Sequence, residues 1–203
     1  MQHPSRRQAT AAVIALPFAW RHAAAQAPLR RTPSQTEGPF YPVEIPKDSD
    51  ADLLRNGARQ YTRGQPAWVD GQVLDLQGKP VAGATVEIWQ CDEAGHYHHP
   101  GDGGRADPAF QGFGRVVAGA DGKYRFRTIR PVAYSGRTPH IHVKVKLDRR
   151  ELLTTQLYVQ GDPHNERDFL WRNLRPEDRA ALTVAFKPGS DGLQATFPIV
   201  VAA

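Results

Sequence analysis

The chain has 203 residues with 18 glycines and 17 prolines, which suits one domain with a sizeable core, many turns and short strands. The formal net charge is +5, but residues 1–25 hold three arginines and no acid, so the rest carries +2 and no basic run typical of nucleic-acid binding. The single cysteine, Cys91, excludes an intrachain disulfide and any multi-cysteine metal site within one chain, and we interpret it as a structural strand residue.

The first 27 residues have the three-part layout of an export signal. "MQHPSRRQ" is basic, "ATAAVIALPFAW" is mostly apolar although Pro17 interrupts it, and "AAAQA" offers small residues suited to signal-peptidase cleavage. Ser5-Arg6-Arg7 is similar to the start of a twin-arginine signal. We therefore expect a signal peptide over 1–27 and a folded, periplasmic domain over 28–203. The alternative is an N-terminal tail on a cytoplasmic protein. No later stretch is long and apolar enough to span a membrane.

The next segment, from residue 28 to about residue 65, is irregular and rich in proline. Its centre, "TEGPFYPVEIP", predicts an extended segment laid over a core rather than a pair of strands. Within the same segment, "DADLLRN" predicts a short helical turn.

Strands are predicted from Pro66 onward. "AWVDGQVLDLQGKPVAGATVEIWQ" indicates two strands joined by a turn, and "GFGRVVAGADGKYRFRTI" indicates two more joined by an Asp-Gly turn. "HIHVKVKL" pairs with "TTQLYVQ", and "ALTVAFKPG" with "QATFPIVV" closes the chain. Roughly eight strands and one short helix candidate, "NERDFLWRNLRPEDRA", predict an all-β sandwich or barrel. We expect a single β-sandwich domain with little helix and with long functional loops at 92–112 and 130–139.

The strand "HIHVKVKL" carries a pair of histidines that share one face. Side chains alternate between the two faces of a strand, so one face carries Ile141, Val143, Val145 and Leu147, and the other carries His140, His142, Lys144 and Lys146. Neighbours on one face lie about 6.6 Å apart, so two imidazoles at this spacing can converge on one metal ion. The alternative is a pair of solvated surface histidines.

Two loop tyrosines add oxygen donors to this candidate metal site. Tyr97 lies in "DEAGHYHHPGDGG" and Tyr134 in "RPVAYSGR". A phenol titrates near pH 10, but a bound cation drives off its proton and takes the phenolate as a hard ligand. Two phenolates with two imidazoles favour a trivalent ion such as Fe(III) over Zn(II). The alternative for each tyrosine is a loop aromatic packed at the edge of the core.

Four motifs in order resemble the intradiol ring-cleavage dioxygenases, the catechol and protocatechuate class. "GPFYP" (38–42) resembles their N-terminal signature, and "VEIWQCDEAGHY" (86–97) resembles their strand and loop ending in an iron-binding tyrosine. "RTPHIHVKV" resembles their Arg-x-x-His-x-His segment, and "TTQLYVQGDPHN" (154–165) the strand and turn that follow. The chain differs from well-known members in a shorter loop between Tyr134 and His140 and in lacking a Trp after Tyr134.

This resemblance implies a non-haem Fe(III) ion bound by Tyr97, Tyr134, His140 and His142. It also implies that Tyr134 leaves the metal and acts as general base, with Arg137 stabilising negative charge and Gln156 close to the substrate. The implied reaction inserts both atoms of O₂ between the hydroxyl-bearing carbons of a catechol, in particular a protocatechuate-like one, to give a cis,cis-muconate. The compact chain is closer to the protocatechuate type, which implies a homo-oligomer or a related partner chain.

Three other interpretations remain open from the sequence. "VDGQVLDLQGKPVAGATVEIW" followed by "DGKYRFRTIRP" also fits a non-catalytic transthyretin-like or carboxypeptidase-regulatory β-sandwich module, which has no need of Tyr97 or "YSGRTPHIH". A zinc hydrolase built on His140 and His142 lacks a good third ligand nearby. A copper or zinc cluster is the third alternative, formed by His96, His98 and His99. We interpret His164 as a turn or helix-cap residue.

Overall fold

The described part of the chain, residues 29–203 of a computed structural model, consists mainly of β-strands. The predicted signal peptide lies outside these residues, and its export function stays a prediction. Across residues 29–203 the structure contains no helix that is both long enough and apolar enough to cross a membrane.

The strands and helices have short spans and follow the predicted order. The strands are β1 (Arg55–Asn56), β2 (Arg59–Gln60), β3 (Pro66–Leu74), β4 (Thr85–Trp89), β5 (Phe113–Val117), β6 (Lys123–Ile129), β7 (His140–Leu147), β8 (Arg150–Val159), β9 (Thr183–Val184), β10 (Lys187–Gly189), β11 (Gly192–Thr196) and β12 (Ile199–Val200). The helices are α1 (Phe169–Arg172) and α2 (Pro176–Leu182), with 3₁₀ turns at Pro100–Asp102 and Asn165–Arg167.

Two five-stranded sheets form the predicted β-sandwich. One has the order β10-β11-β3-β12 with β6 also paired to β3, and the other has the order β5-β4-β7-β8-β9. Apolar side chains of both sheets belong to one buried cluster, for example Val69 and Phe126 from the first and Val143 and Leu157 from the second. Burial of this shared cluster is the driving force that holds the layers together.

The Asp-Gly turn is present, but the strands that it joins do not form a hairpin. The N–H of Gly122 donates to the carbonyl of Gly119 at 2.8 Å, closing the turn. However, β5 pairs with β4 and β6 pairs with β3, so the chain crosses from one sheet to the other at this point. The predicted pair of β7 and β8 is confirmed as antiparallel neighbours.

The prediction of a helical turn at "DADLLRN" is wrong. Asp52 uses its carboxylate to accept the backbone N–H of Leu54 at 3.1 Å, which closes a local turn in place of a helix. Leu53 is fully buried, and its N–H donates to Arg127 of β6 at 2.8 Å. Burial of the Leu53 side chain in the core therefore favours a turn that leads into β1.

The single helix predicted for "NERDFLWRNLRPEDRA" is divided into a 3₁₀ turn, α1 and α2. Asp168 caps α1 by accepting the N–H groups of Leu170 and Trp171, both at 3.0 Å. Pro176 begins α2, where its missing N–H costs nothing because the first helical donors have no partner inside the helix.

Strand β7 positions the candidate site because both of its faces are buried. Val143 is 1% exposed on the core face, and His140 and His142 are each 1% exposed on the other face. The cover over the histidine face is a segment that we call the strap, residues 35–41. Backbone and side-chain hydrogen bonds join it to β8, including Gln35 N–H to the carbonyl of Thr154 at 2.9 Å. The extended segment over a core is therefore confirmed, and the alternative of solvated histidines is wrong.

Candidate active site

Four aromatic side chains from three parts of the chain form a closed ring of contacts. The ring centroids are separated by 5.0 Å between Tyr97 and Tyr134, and by 5.5 Å between Tyr134 and His140. His140 and His142 follow at 4.8 Å, and His142 returns to Tyr97 at 6.1 Å. The structure thus brings together all four side chains that the sequence selected as metal ligands.

Tyr97 is held rigidly in the loop that follows β4. Its ring is 2% exposed and stacks on Phe40 of the strap at a centroid distance of 4.7 Å. Its backbone N–H donates to a carboxylate oxygen of Asp102 at 2.9 Å. The loop and the strap therefore fix the Tyr97 ring from two sides.

Tyr134 and Arg137 are placed by one tight turn. The N–H of Arg137 donates to the carbonyl of Tyr134 at 2.7 Å, and the two residues between them, Ser135 and Gly136, have φ of 44° and 77°. Two successive positive φ angles are typical of a type I′ turn, whose first and last residues lie side by side. This turn is the short loop noted in the sequence, and it places an arginine beside the second tyrosine.

The hydrogen bonds of His140 determine its tautomer. Its Nδ1 lies 2.6 Å from the carbonyl oxygen of Thr138, and because a carbonyl only accepts, Nδ1 carries the proton. The Nε2 lone pair of His140 then faces Nε2 of His142 at 3.2 Å. Burial, with the nearby charge of Arg137, lowers the pKa of His140 to about 4, so the ring is neutral at pH 7.

Two buried polar atoms at this ring have no hydrogen-bond partner, the hydroxyl of Tyr97 and Nδ1 of His142. Buried polar groups are nearly always paired, so the unpaired Tyr97 hydroxyl beside the facing imidazole Nε2 atoms fits a site built for a cation, whereas Nδ1 of His142 points away from that position. Burial raises the pKa of Tyr97 well above its usual value and also raises that of Tyr134. A bound cation reverses this effect, because its charge stabilises the phenolate.

Arg137 is oriented by two buried partners. Its Nε donates to Asp168 at 2.7 Å, and its Nη2 donates to Oε1 of Gln156 at 2.8 Å. Gln156 also donates from Nε2 to the carbonyl of Thr36 in the strap at 2.9 Å, and it is fully buried. Gln156 therefore lies behind Arg137, with its amide engaged by protein groups.

Two residues of the site escaped the sequence reasoning. Asp168 lies inside the predicted helix "NERDFLWRNLRPEDRA" but beyond the last family motif, and its only signal was its N-cap position before "FLW". Trp89 stacks on His142 with a centroid distance of 4.8 Å and an interplanar angle of 7°. Trp89 and His142 are direct partners across β4 and β7, and a single sequence does not specify this register.

The other histidines have separate contacts. His98 donates from Nε2 to the carbonyl of Asp107 at 3.0 Å, and Nδ1 of His99 accepts the N–H of Gly101 at 3.0 Å. His164 bonds to Asp162 in a turn, as predicted. Within residues 29–203 no group of three or more His, Cys, Asp or Glu side chains is arranged to hold a metal ion. The alternative of a copper or zinc cluster at residues 96–99 is therefore wrong, and a zinc hydrolase site has no third ligand of these types.

Comparison with known proteins identifies the family. A family model described as Dioxygenase matches residues 36–203. The protocatechuate 3,4-dioxygenase beta chain of Burkholderia cepacia is 39% identical over 147 residues, which cover 67% of this chain and 63% of that protein. The chain belongs to the intradiol ring-cleavage dioxygenase family. The match extends over both tyrosine loops and "HIH", so it does not support the alternative of a non-catalytic β-sandwich module.

Other curated relatives are named for different catechols. Catechol 1,2-dioxygenase 1 of Acinetobacter lwoffii is 34% identical over 169 residues, covering 69% of this chain and 50% of that protein. Hydroxyquinol 1,2-dioxygenase of Corynebacterium glutamicum is 33% identical over 147 residues, covering 64% and 46%. The chain thus spans from about half to less than two thirds of the length of these curated relatives.

Solved structures of dioxygenases agree in fold with this family member. The dioxygenase domain of a dioxygenase carbohydrate-binding protein fusion from Streptomyces sp. SirexAA-E is 35% identical with a TM-score of 0.68, and the match covers 84% of this chain and 97% of that domain. Catechol 1,2-dioxygenase from Acinetobacter sp. ADP1 is 27% identical with a TM-score of 0.65, covering 84% and 62%.

The contacts of Asp168 make it the anchor of Arg137 in this family member. Its carboxylate is fully buried and accepts Arg137, the N–H of Thr138 and the two capping N–H groups of α1. Burial alone would raise the pKa of Asp168, but the Arg137 and backbone hydrogen bonds outweigh it and hold the pKa below its usual value.

We predict that Asp168→Asn lowers the free energy of unfolding by about 3 kcal/mol at pH 7, because it leaves the buried arginine without its counter-charge. Since the pKa of Asp168 is depressed on folding, its contribution is present above the unfolded pKa of about 3.9 and is lost as pH falls through the folded pKa. Denaturant unfolding between pH 7 and pH 3 measures both effects, with a shallower acid dependence expected for the variant.

The matched control for this measurement is Asp121→Asn, which removes the exposed partner of Lys123. We expect little change for it. A wild-type acid dependence in Asp168→Asn would contradict the anchoring role.

Proposed function

We propose that the chain is a non-haem Fe(III) intradiol dioxygenase, which inserts both atoms of O₂ between the two hydroxyl-bearing carbons of a catechol. The observation that carries this proposal is the closed ring of two tyrosines and two histidines, in which the two imidazole Nε2 atoms face each other and the buried Tyr97 hydroxyl has no hydrogen-bond partner. Phenolate and imidazole donors suit a hard trivalent ion. The arrangement of two histidines and one carboxylate typical of Fe(II) oxygenases is not found among residues 29–203.

The proposed iron ligands are Tyr97, Tyr134, His140 and His142. When bound, Fe(III) would supply a Lewis acid that polarises the catechol. The protein then determines which ligand is mobile. Tyr97 is packed between the strap and its own loop, whereas Tyr134 is only half-buried on a four-residue turn. We therefore assign Tyr134 as the general base that accepts a catechol proton.

Arg137 is the proposed electrostatic catalyst. It lies beside Tyr134 and is fixed by Asp168 and Gln156, so its charge is in place before the reaction begins. Negative charge that develops on the substrate is stabilised there without the cost of reorienting solvent. Gln156 acts through Arg137 and the strap in this scheme, because its amide groups contact both.

The product distinguishes this intradiol cleavage from extradiol cleavage, which breaks a ring bond beside the diol. We expect a cis,cis-muconate from iron-loaded protein and a catechol in air, identified by mass spectrometry and its ultraviolet spectrum. Labelling with ¹⁸O₂ is expected to place one atom in each new carboxyl group where hydrolysis outruns exchange. A yellow semialdehyde product would mean extradiol cleavage and would overturn the tyrosine-ligand assignment.

We predict that His142→Ala abolishes iron binding and that Tyr97→Phe loses most of the iron or shifts its absorption strongly. Each change removes one donor atom, and Tyr97→Phe keeps the ring that packs on Phe40. Metal analysis and the visible spectrum of the purified variants measure the effect, since tyrosinate-to-Fe(III) charge transfer colours the protein red. Wild-type iron content in either variant contradicts the assignment, and Tyr61→Phe, a buried tyrosine elsewhere in the core, is the control.

Turnover of Arg137→Ala is expected to fall by about 10²-fold or more, by analogy with the loss of an oxyanion-hole donor. Iron content and colour are expected to stay, because a guanidinium group is not a ligand. Steady-state kinetics on the best catechol, with iron analysis of the same sample, separates these outcomes. A rate near that of the wild type would reduce Arg137 to a structural role.

We further propose a protocatechuate-like substrate with an anionic ring substituent. The residues that line a cavity of about 460 Å³ include Tyr134, Arg137, His164 and Arg167. A carboxylate on the catechol ring would find positive charge there. The 39% identical relative named as a protocatechuate 3,4-dioxygenase beta chain also supports this choice.

Arg167→Gln is predicted to lower kcat/KM for protocatechuate about tenfold, because a charge-assisted hydrogen bond is lost. The value for unsubstituted catechol is expected to stay the same. Equal losses on both substrates, or none, would argue against an anion subsite at Arg167.

Export and assembly are proposals of the same kind. We propose that the protein is secreted to the periplasm after cleavage near residue 27, which N-terminal sequencing of protein from the native host tests. An oligomer of identical or related chains is tested by analytical ultracentrifugation.

A further inference from the structure

Lys144 of β7 is a buried cation that reaches the strap. It lies on the same strand face as His140 and His142, and its side chain is 6% exposed. Its ammonium group pairs with Glu37 of the strap and lies 3.4 Å from Glu151 of β8. The strap therefore has one charged attachment to the strand that carries the histidines.

Lys146 makes a second attachment one pleat further along β7. Its Nζ lies 3.0 Å from the hydroxyl of Tyr41 in the strap and 2.9 Å from a carboxylate oxygen of Glu87. Tyr41 donates its own hydroxyl proton to Glu87 at 2.8 Å, and Lys144 lies 3.9 Å above its ring. The two lysines thus hold the strap by ion pairing, hydrogen bonding and a cation–π contact.

The strap in turn contacts the candidate ligands. Phe40 stacks on Tyr97 at 4.7 Å. Gly38, with φ of 71°, lies so close to the His142 ring that an added Cβ would be 3.2 Å from its Cε1 atom. Tyr41 packs edge-on to Trp89, with the ring centroids 5.0 Å apart. Trp89 in turn stacks on His142, so Trp89 links the Tyr41 ring to the His142 ring.

We propose that Lys144 and Lys146 are positioning residues, which clamp the strap onto β7 and so fix the rings of Tyr97 and His142. This inference rests on the proposed function, because it explains how the ligand rings of that site are held. A buried ion pair gains little net stability after desolvation, but removal of one partner leaves an uncompensated charge. The pairs therefore specify where the strap lies more than how stable the domain is.

The chain offers a matched pair of variants at Lys144. Glu37→Gln removes the carboxylate on the strap, and Glu151→Gln removes the carboxylate on β8, which does not touch the strap. Both carboxylates are partly exposed, at 43% and 51%, and in either variant the buried Lys144 keeps the other carboxylate as its partner. If Lys144 acts through the strap, only Glu37→Gln affects the site.

The first readout is opening of the strap in metal-free protein. Chymotrypsin cuts after Phe40 only when that ring leaves Tyr97, so the cleavage rate followed by mass spectrometry reports the open population. We expect cleavage about tenfold faster in Glu37→Gln and Lys144→Met, since each loses the charge-assisted contact between Lys144 and Glu37 of the strap. Lys144→Arg keeps the charge and is expected to restore a rate near that of the wild type.

The second readout is iron release to a chelator, with kcat and KM measured separately on the loaded enzyme. Glu37→Gln is expected to release iron about tenfold faster. Its kcat is expected to fall while KM changes less, because the ligand rings and not the substrate cavity are displaced. Glu151→Gln is expected to match the wild type in both assays.

Equal behaviour of Glu37→Gln and Glu151→Gln would overturn the clamp, since Lys144 would then act only as a general structural charge. That result leaves the proposed function intact if the wild type binds iron and cleaves catechols. Conversely, a wild type without iron or ring cleavage overturns the proposed function, whereas the cleavage assay at Phe40 still tests the clamp by itself.

Discussion

Burial of both faces of β7 is the constraint on which the site depends. One face packs in the sandwich core, as any strand of a layered sheet does. The other face carries two imidazoles whose Nε2 atoms lie 3.2 Å apart, out of contact with water. Such a face requires a cover, and the strap supplies it. The lysines that follow the histidines along the strand are therefore attachment points for the cover rather than a solvated edge.

Polar atoms without partners are costly in a protein core, at about 1–3 kcal/mol each. The hydroxyl of Tyr97 and Nδ1 of His142 are two such atoms. Their rings are nevertheless held by stacking on Phe40 and Trp89, which provides apolar burial that offsets part of this cost. The ring packing keeps Nε2 of His140 and Nε2 of His142 directed at one another, so the proposed cation would meet a geometry that is already formed.

The arginine is held in a different way from the ligand rings. Asp168 joins the turn that carries Arg137 to the first turn of α1, and Gln156 joins the same guanidinium to β8 and the strap. The buried pair of Arg137 and Asp168 thus connects a loop, a helix and a sheet. A displacement of any of these elements would move the positive charge relative to Tyr134.

The sequence by itself determined the strands and the all-β class, because alternation and turn residues are local signals, and its resemblance to a known family supplied the set of candidate ligands. The pattern of "HIHVKVKL" separates the histidine face from the apolar face without any structure. It did not determine that β5 and β6 belong to different sheets, or that Trp89 pairs with His142, since register depends on contacts between distant segments. Only the tertiary structure decided that the lysine face is buried: the strap lies more than 100 residues away in sequence and reaches β7 through Glu37 and Tyr41.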